Sequence, residues 1–241
     1  MGFLKRNFIR GISIILTAFL FFGCAYHGNL KNDFKPITNQ TSKLPLKACL
    51  VFDNSMEQFN YRSEMFGGHS VDISGQPGLK LSMVNTFNPM FEELYVISNV
   101  YDEKIGNTDV VMFPTLESKD NGTVLYMSLL IKKTETDEIL HKYESTSDTN
   151  WQEPALSSIL GIINICSAFL LSPIIIPSQT HLIGNTATKT LEKGISTDLD
   201  RISNDMKNDR SLVKNALMPG SAEIKGLEKN KGDVPTSTTT K

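Results

Sequence analysis

From Pro154 to Thr188 the chain carries no Asp, Glu, Lys or Arg, and no other feature restricts its fold as much. A run of that length cannot lie bare in water, because its apolar side chains must be covered by protein or by lipid. Its most apolar part, Ala155 to Ile176, would extend about 33 Å as a helix, which matches a hydrocarbon core. Twelve of those positions are Leu, Ile or Phe. They favour insertion by only about 4–7 kcal/mol, and Gly161, Asn164, Pro173, Ser157, Ser158, Ser167 and Ser172 offset much of it. Three arrangements satisfy the run. It is a buried helix or loop over a sheet, a segment that dips into a membrane or packs on a partner, or a true span assembled in an oligomer. For the second arrangement the contact residues are Trp151, Leu156, Ile159, Leu160, Ile163, Phe169 and Leu170. Trp151 is the only Trp and stands just before the run, where interfacial aromatics are common. A place in the core or at its rim is the plainer role for it.

The other end of the chain carries an address. Lys5, Arg6 and Arg10 are followed by an uncharged apolar run, Gly11 to Phe22, and then Gly23-Cys24. This is the layout of a secretory signal, too short and wrongly flanked for a permanent span. A small residue directly before Cys resembles the lipobox of bacterial lipoproteins, although Phe21 and Phe22 stand where that family usually has Leu and a small residue. The resemblance implies cleavage after residue 23 and lipidation of Cys24, which becomes the mature N-terminus and carries palmitate among its acyl chains. Several acyl chains hold a protein far more firmly than the marginal binding of one. Ala25, where inner-membrane retention uses Asp, leans toward the outer membrane.

Removing residues 1–23 takes three of the 24 basic residues and none of the 26 acidic ones, leaving 21 against 26. That mild acidity speaks against nucleic acid, which requires a basic face. The expected organisation is a signal peptide at 1–23 and a lipidated Cys24 with a flexible tether at 24–44. A single α/β domain follows at 45–217, including the apolar segment 154–177, and then a disordered tail at 218–241.

Within the domain, Leu46 to Phe52 reads as a buried strand, and a loop-like region with Gly67-Gly68 and Gly75-Gln76-Pro77-Gly78 follows. Leu79, Met83, Phe87, Met90 and Leu94 share one helix face, interrupted by Pro89. Pro89 either kinks that helix or stands in the first turn of a new one capped by Asn88. Tyr95 to Val100 reads as a short strand. The segments 108–118, 123–133 and 139–145 read as an antiparallel meander, with Leu125, Met127, Leu129 and Ile131 on one face. Pro114 marks its strand as an edge or bulge. Ala187, Leu191, Ile195, Leu199, Ile202 and Met206 form the stripe of a long amphipathic helix. The fold class is therefore α+β. It comprises a small mixed or antiparallel sheet with helices packed on one face, an apolar helical segment and a long C-terminal amphipathic helix.

Three fragments in this order resemble a known family. They are Val51-Phe52-Asp53-Asn54-Ser55, Thr108-Asp109-Val110-Val111 and Thr136-Asp137-Glu138-Ile139-Leu140. They resemble the small domain of the TolB amino-terminal region and of the curli-secretion lipoprotein. The resemblance implies a non-catalytic assembly or adaptor component of the cell envelope. The curli relative's pore does not carry over, since 155–176 lacks the alternation of a barrel strand.

Catalytic signatures are sparse. His27, His69, His141 and His181 are scattered. His69-Ser70-Val71-Asp72 has the residue types of a hydrolase without its spacing, and a polar loop is the simpler reading. Cys49 lies in an apolar strand without a neighbouring base. Asp53, Glu57 and Glu64, like Glu135, Asp137 and Glu138, read as solvated loops. No cofactor or metal is expected. The expected partners are the membrane, through Cys24, and envelope proteins, with a homo-oligomer as a further form. The alternatives are a periplasmic hydrolase built on the Asp53 to Asp72 region, or a module binding lipid or cell wall.

Overall fold

The computed structural model describes residues 25–31, 43–65, 69–151 and 172–218. The expected first strand is β2 (Leu44–Val51), with Leu46, Ala48, Cys49, Leu50 and Val51 all buried. It reads as a continuous apolar run because both its faces are covered. It pairs in parallel with β5 (Phe91–Ile97) and with β6 (Val110–Lys119). β6 continues into the expected meander with β7 (Val124–Lys133) and β8 (Ile139–Asp148), both pairings antiparallel. The resulting five-stranded mixed sheet has the order β5-β2-β6-β7-β8. β2 pairs with β6 only as far as Met112, so Pro114 stands where one side of its strand is free and a missing donor is tolerated.

Four expectations change. The helix α2 (Gly78–Phe87) is there, with Leu79, Met83 and Phe87 buried, but it stops short of Leu94. A 3-10 turn (Asn88–Met90) with Pro89 in its first turn leads straight into β5, where Leu94 is half-buried. Pairing with β2 outweighs the four-residue spacing that drew Met90 and Leu94 onto a helix face.

The loop-like region after β2 is also structured. It holds a short helix α1 (Asn54–Glu57), then β3 (Asn60–Met65) and β4 (His69–Ser74). The third change concerns the tether. Its first residues are a strand, β1 (Ala25–Asn29), running parallel to β4 from Ala25↔Ser70 to Asn29↔Ser74. β3 flanks β4 on the other side, antiparallel, so a second sheet has the order β1-β4-β3. Two sheets, rather than one, are the fourth change. The remaining tether (32–42), most of the apolar segment (152–171) and the tail from 219 lie outside the described residues.

What joins the sheets is α3 (Ser172–Asn208), which packs on β1 and β4 of one, β7 and β8 of the other, and on α2. All six residues of its expected stripe are at most 1% exposed. Each buried Leu, Ile or Met contributes roughly 1.5–3 kcal/mol, so this helix is the main source of cohesion between the layers. α4 (Arg210–Leu217) closes the core, its first turn capped by Asp209. The far face of the large sheet carries a smaller cluster of Cys49, Val51, Ile97 and Val111. Among the described residues no helix is long and apolar enough to cross a membrane.

Candidate functional site

β1 is fastened at both ends. The Tyr26 ring lies where a Cβ on Gly184 of α3 would stand, 2.1 Å from its nearest ring atoms. Leu30 is buried, donates its N–H to the Ser74 carbonyl at 2.9 Å, and crowds Gly78 at the start of α2. Lys31 N–H then reaches the Glu192 carboxylate of α3 at 2.9 Å. Ala25, the residue bonded to Cys24, is therefore part of a sheet clamped to the core.

The side-chain contacts also fix directions. Along α3, Gly184 meets Tyr26 and Glu192 meets Lys31, so β1 and α3 run the same way. Gly194 meets Thr149, Asp198 meets Ser147 and Ser145, and Asp209 meets Tyr143, so β8 runs the opposite way. The start of β1, the start of α3 and the exit from β8 consequently open toward one end of the molecule.

Near that end the two sheets are stitched by the turn Asp120–Gly122 between β6 and β7. Asn121 has a left-handed backbone (φ 55°). Its side-chain amide accepts from the Glu64 N–H at 2.9 Å and donates to the Glu64 carbonyl at 2.6 Å, as a neighbouring strand would. The Gly122 carbonyl accepts from Tyr61 of β3 and from Thr149 Oγ1 at 2.8 Å. This amide is already engaged, so the Asn-Gly-Thr sequence at 121–123 is a joint.

The outward face of the small sheet is polar, since Tyr61, Ser63, Val71 and Ile73 take the buried side. Strand register places His27, Asp72 and Arg62 in one row and Asn29, Ser74 and Asn60 in the next. His27 Nδ1 stands 3.7 Å from Asp72 Oδ2, and with Gln58 these amides and hydroxyls line an open cleft of about 530 Å³. The separation is beyond hydrogen-bonding distance, and no nucleophile bridges the pair. The cleft offers donors and acceptors to a polar ligand without the parts of a covalent catalyst. Asp72 thus finds its imidazole neighbour on β1, 45 residues away in the chain and unreadable from the quartet at 69–72.

The other chemical candidates disperse. Asp53 caps α1, accepting from the Ser55 and Met56 N–H groups at 3.0 and 3.1 Å, and the Ser55 hydroxyl holds its carboxyl below the usual range. Glu57 approaches Lys80 at 3.9 Å and Glu64 pairs with Arg62 at 3.2 Å. Burial, reinforced by the Asp102 carboxylate, pushes the Cys49 thiol up to about 11, so it stays protonated and unreactive at neutral pH. Asp137 pairs with Lys132 at 2.9 Å, and among the described residues no cluster fit for a metal ion forms. Trp151 is fully buried and packs within the main hydrophobic cluster. Cys24, Leu156, Ile159, Leu160, Ile163, Phe169 and Leu170 lie outside the described residues.

One buried acid is unassigned by any of this. Asp198 of α3 accepts from Ser145 Oγ at 2.6 Å and Ser147 Oγ at 2.9 Å. Burial raises its carboxyl above the ordinary range, against the two serines and Arg201, which pull it down. The native state therefore holds this proton more tightly than the unfolded chain does. Its stabilising effect is full below the unfolded value and is lost as pH rises through the folded one. Asp198→Asn is expected to gain about 1 kcal/mol at pH 7.5 relative to wild type and little or nothing at pH 4.5. Urea unfolding at the two pH values checks this, and an equal loss at both contradicts it.

Fold and site together define an α+β protein of two sheets bound by one long helix, with its first strand as the junction to whatever precedes it. No family model matches the chain, and no curated protein matches it. Among solved structures it is similar to protein XCC0632 from Xanthomonas campestris, of the DUF330 family, at a TM-score of 0.42 and 8% identity, covering 77% of this chain and 99% of that one. It is also similar to the lipoprotein GNA1162 from Neisseria meningitidis, at a TM-score of 0.27 and 13% identity, covering 53% of this chain and 100% of that one. At such scores neither neighbour assigns this chain a fold family or a function.

Proposed function

We propose that the protein is a lipid-anchored component of a bacterial cell envelope, serving as a non-catalytic assembly or adaptor module at the membrane surface. The observation that supports this best is a convergence. Cys24, at the close of a signal-like leader, adjoins the start of β1, and α3, whose first part belongs to the uncharged run, runs the same way as β1 and so starts on the same side of the body. An anchor and an apolar segment on one side of a folded body suit a membrane-bound partner better than a freely diffusing enzyme. Asp53 in a cap, Glu57 near Lys80 and Cys49 in a buried strand support the non-catalytic reading over the hydrolase alternative. The outer membrane is the favoured site, from Ala25.

The test is acylation. Cells fed an alkyne-tagged palmitate analogue are expected to label the wild type and to leave Cys24→Ser unlabelled, with the variant lost from the detergent-extracted membrane fraction. The adaptor role predicts that wild type crosslinked in intact envelopes is recovered in a complex larger than its own monomer. A strictly monomeric, unacylated protein that stays in buffer without detergent would refute the proposal.

A further inference from the structure

The outward face of the small sheet is a grid of polar side chains. Strand register puts His27 and Asn29 of β1, Asp72 and Ser74 of β4, and Asn60 of β3 on this face, and Gln58 adds an amide at the cleft. Neighbouring strands stand about 4.8 Å apart and the two rows about 7 Å apart, so the patch has the breadth of a short saccharide. Its polar groups are open to a ligand. Asn29, Gln58 and Asn60 are exposed, and no hydrogen bond joins their side-chain amides to another described residue. The Asp72 carboxylate is approached by His27 only to 3.7 Å.

The balance of donors and acceptors selects the ligand. An anion takes donors, yet Asp72 is an acceptor, and Arg62 in the same row is paired with Glu64 at 3.2 Å and does not line the cleft. A cation takes several acidic oxygens, whereas one carboxylate lines this cleft and no metal-fit cluster forms among the described residues. An apolar ligand would meet amides, because Phe59, which also lines the cleft, is only 8% exposed. A peptide strand pairs at a sheet edge and seats its side chains in pockets, and this surface is a sheet face. Asn and Gln amides both donate and accept, as sugar hydroxyls do, and a carboxylate accepts from two neighbouring hydroxyls at once. The cleft of about 530 Å³ is of ordinary size for a ligand site, and it opens to solvent, so a bound ring can belong to a longer chain.

We infer that this cleft binds a neutral glycan, with one pyranose unit seated across β1, β4 and β3. The inference is separate from the lipid-anchor reading, since it uses no residue of the leader. The experiment titrates the full-length protein calorimetrically with chitohexaose and with maltohexaose, in lauryl dimethylamine oxide, a detergent without a sugar headgroup. At least one hexasaccharide is expected to bind with a dissociation constant of about 1 mM or tighter. Gln58→Ala combined with Asn60→Ala is expected to weaken that binding at least about tenfold, through the lost hydrogen bonds, with thermal unfolding unchanged because both side chains are exposed. Asn107→Ala, an exposed amide outside the cleft, is expected to leave it unchanged. An oligogalacturonate, whose rings carry carboxylates, is expected to bind at least about tenfold more weakly. Absence of binding by both hexasaccharides at millimolar concentration overturns the inference, as does equal binding by the double variant. Hexaglycine competing at equal affinity would assign the cleft to a peptide and overturn it as well. Any of these failures leaves the acylation of Cys24 to its own test, and an unacylated Cys24 leaves the glycan site standing.

Discussion

Gly184→Ala unseats the first strand. The added Cβ would stand 2.1 Å from Cδ2 and Cε2 and 2.3 Å from Cγ of Tyr26, and no rotation about the ring's own attachment clears Cγ. Alanine improves helix propensity by about 1 kcal/mol, whereas overpacking of this kind costs roughly 1–3 kcal/mol and displaces backbone. The overlap is deep enough for the clash to win, with a net loss of about 2 kcal/mol in urea unfolding. The loss localises: among the described residues β1 packs chiefly on β4 and α3, so protease cleavage between residues 25 and 31 is expected to accelerate before the meander is exposed. Tyr26→Ala combined with Gly184→Ala is expected to be no less stable than Tyr26→Ala alone, because the steric conflict is then gone. An unchanged midpoint in Gly184→Ala would show that β1 is loosely held against α3.

Gly122→Ala is expected to cost more, about 3–4 kcal/mol, a large share of a typical domain's stability. Two effects act together. The backbone at Gly122 has φ +80°, a conformation that a residue with a Cβ adopts only under strain, and the new carbon would meet Ser63 Cβ at 2.7 Å and Tyr61 Oη at 2.8 Å. Relief requires moving the turn away from β3. That breaks the hydrogen bonds from Tyr61 and Thr149 to the Gly122 carbonyl, leaving buried hydroxyls without acceptors. Gly106 is a clean control, having no atom within 4 Å of the position of its added Cβ, and Gly106→Ala is expected to stay within about 0.5 kcal/mol of wild type. Similar midpoints for the two variants would mean that the turn does not couple the sheets.

The parts of this molecule that were readable from residues are those whose burial is periodic and large. Leu125, Met127, Leu129 and Ile131 alternate in the sequence and are all buried in β7. The α3 stripe recurs at helical spacing and is buried throughout. Two of the three strands of the small sheet were not readable because their inward positions lack an apolar alternation. β3 presents Tyr61 and Ser63 to the core, and β1 presents Tyr26 and Gly28, so neither strand alternates apolar with polar. Asn88-Pro89 misled in the other direction, since four-residue spacing across a proline continued a helix pattern into residues that pair with β2.

The order of the meander, the long amphipathic helix and the uncharged run belong to the sequence by itself, because each rests on local period or composition. Only the tertiary structure decided that the residues after Cys24 form a strand and not a tether. It alone decided that His27 meets Asp72, and that β1 and α3 run the same way. Those outcomes depend on contacts between residues far apart in the chain, such as Tyr26 with Gly184 and Asn121 with Glu64, and a pairing at that separation leaves no periodicity in either partner.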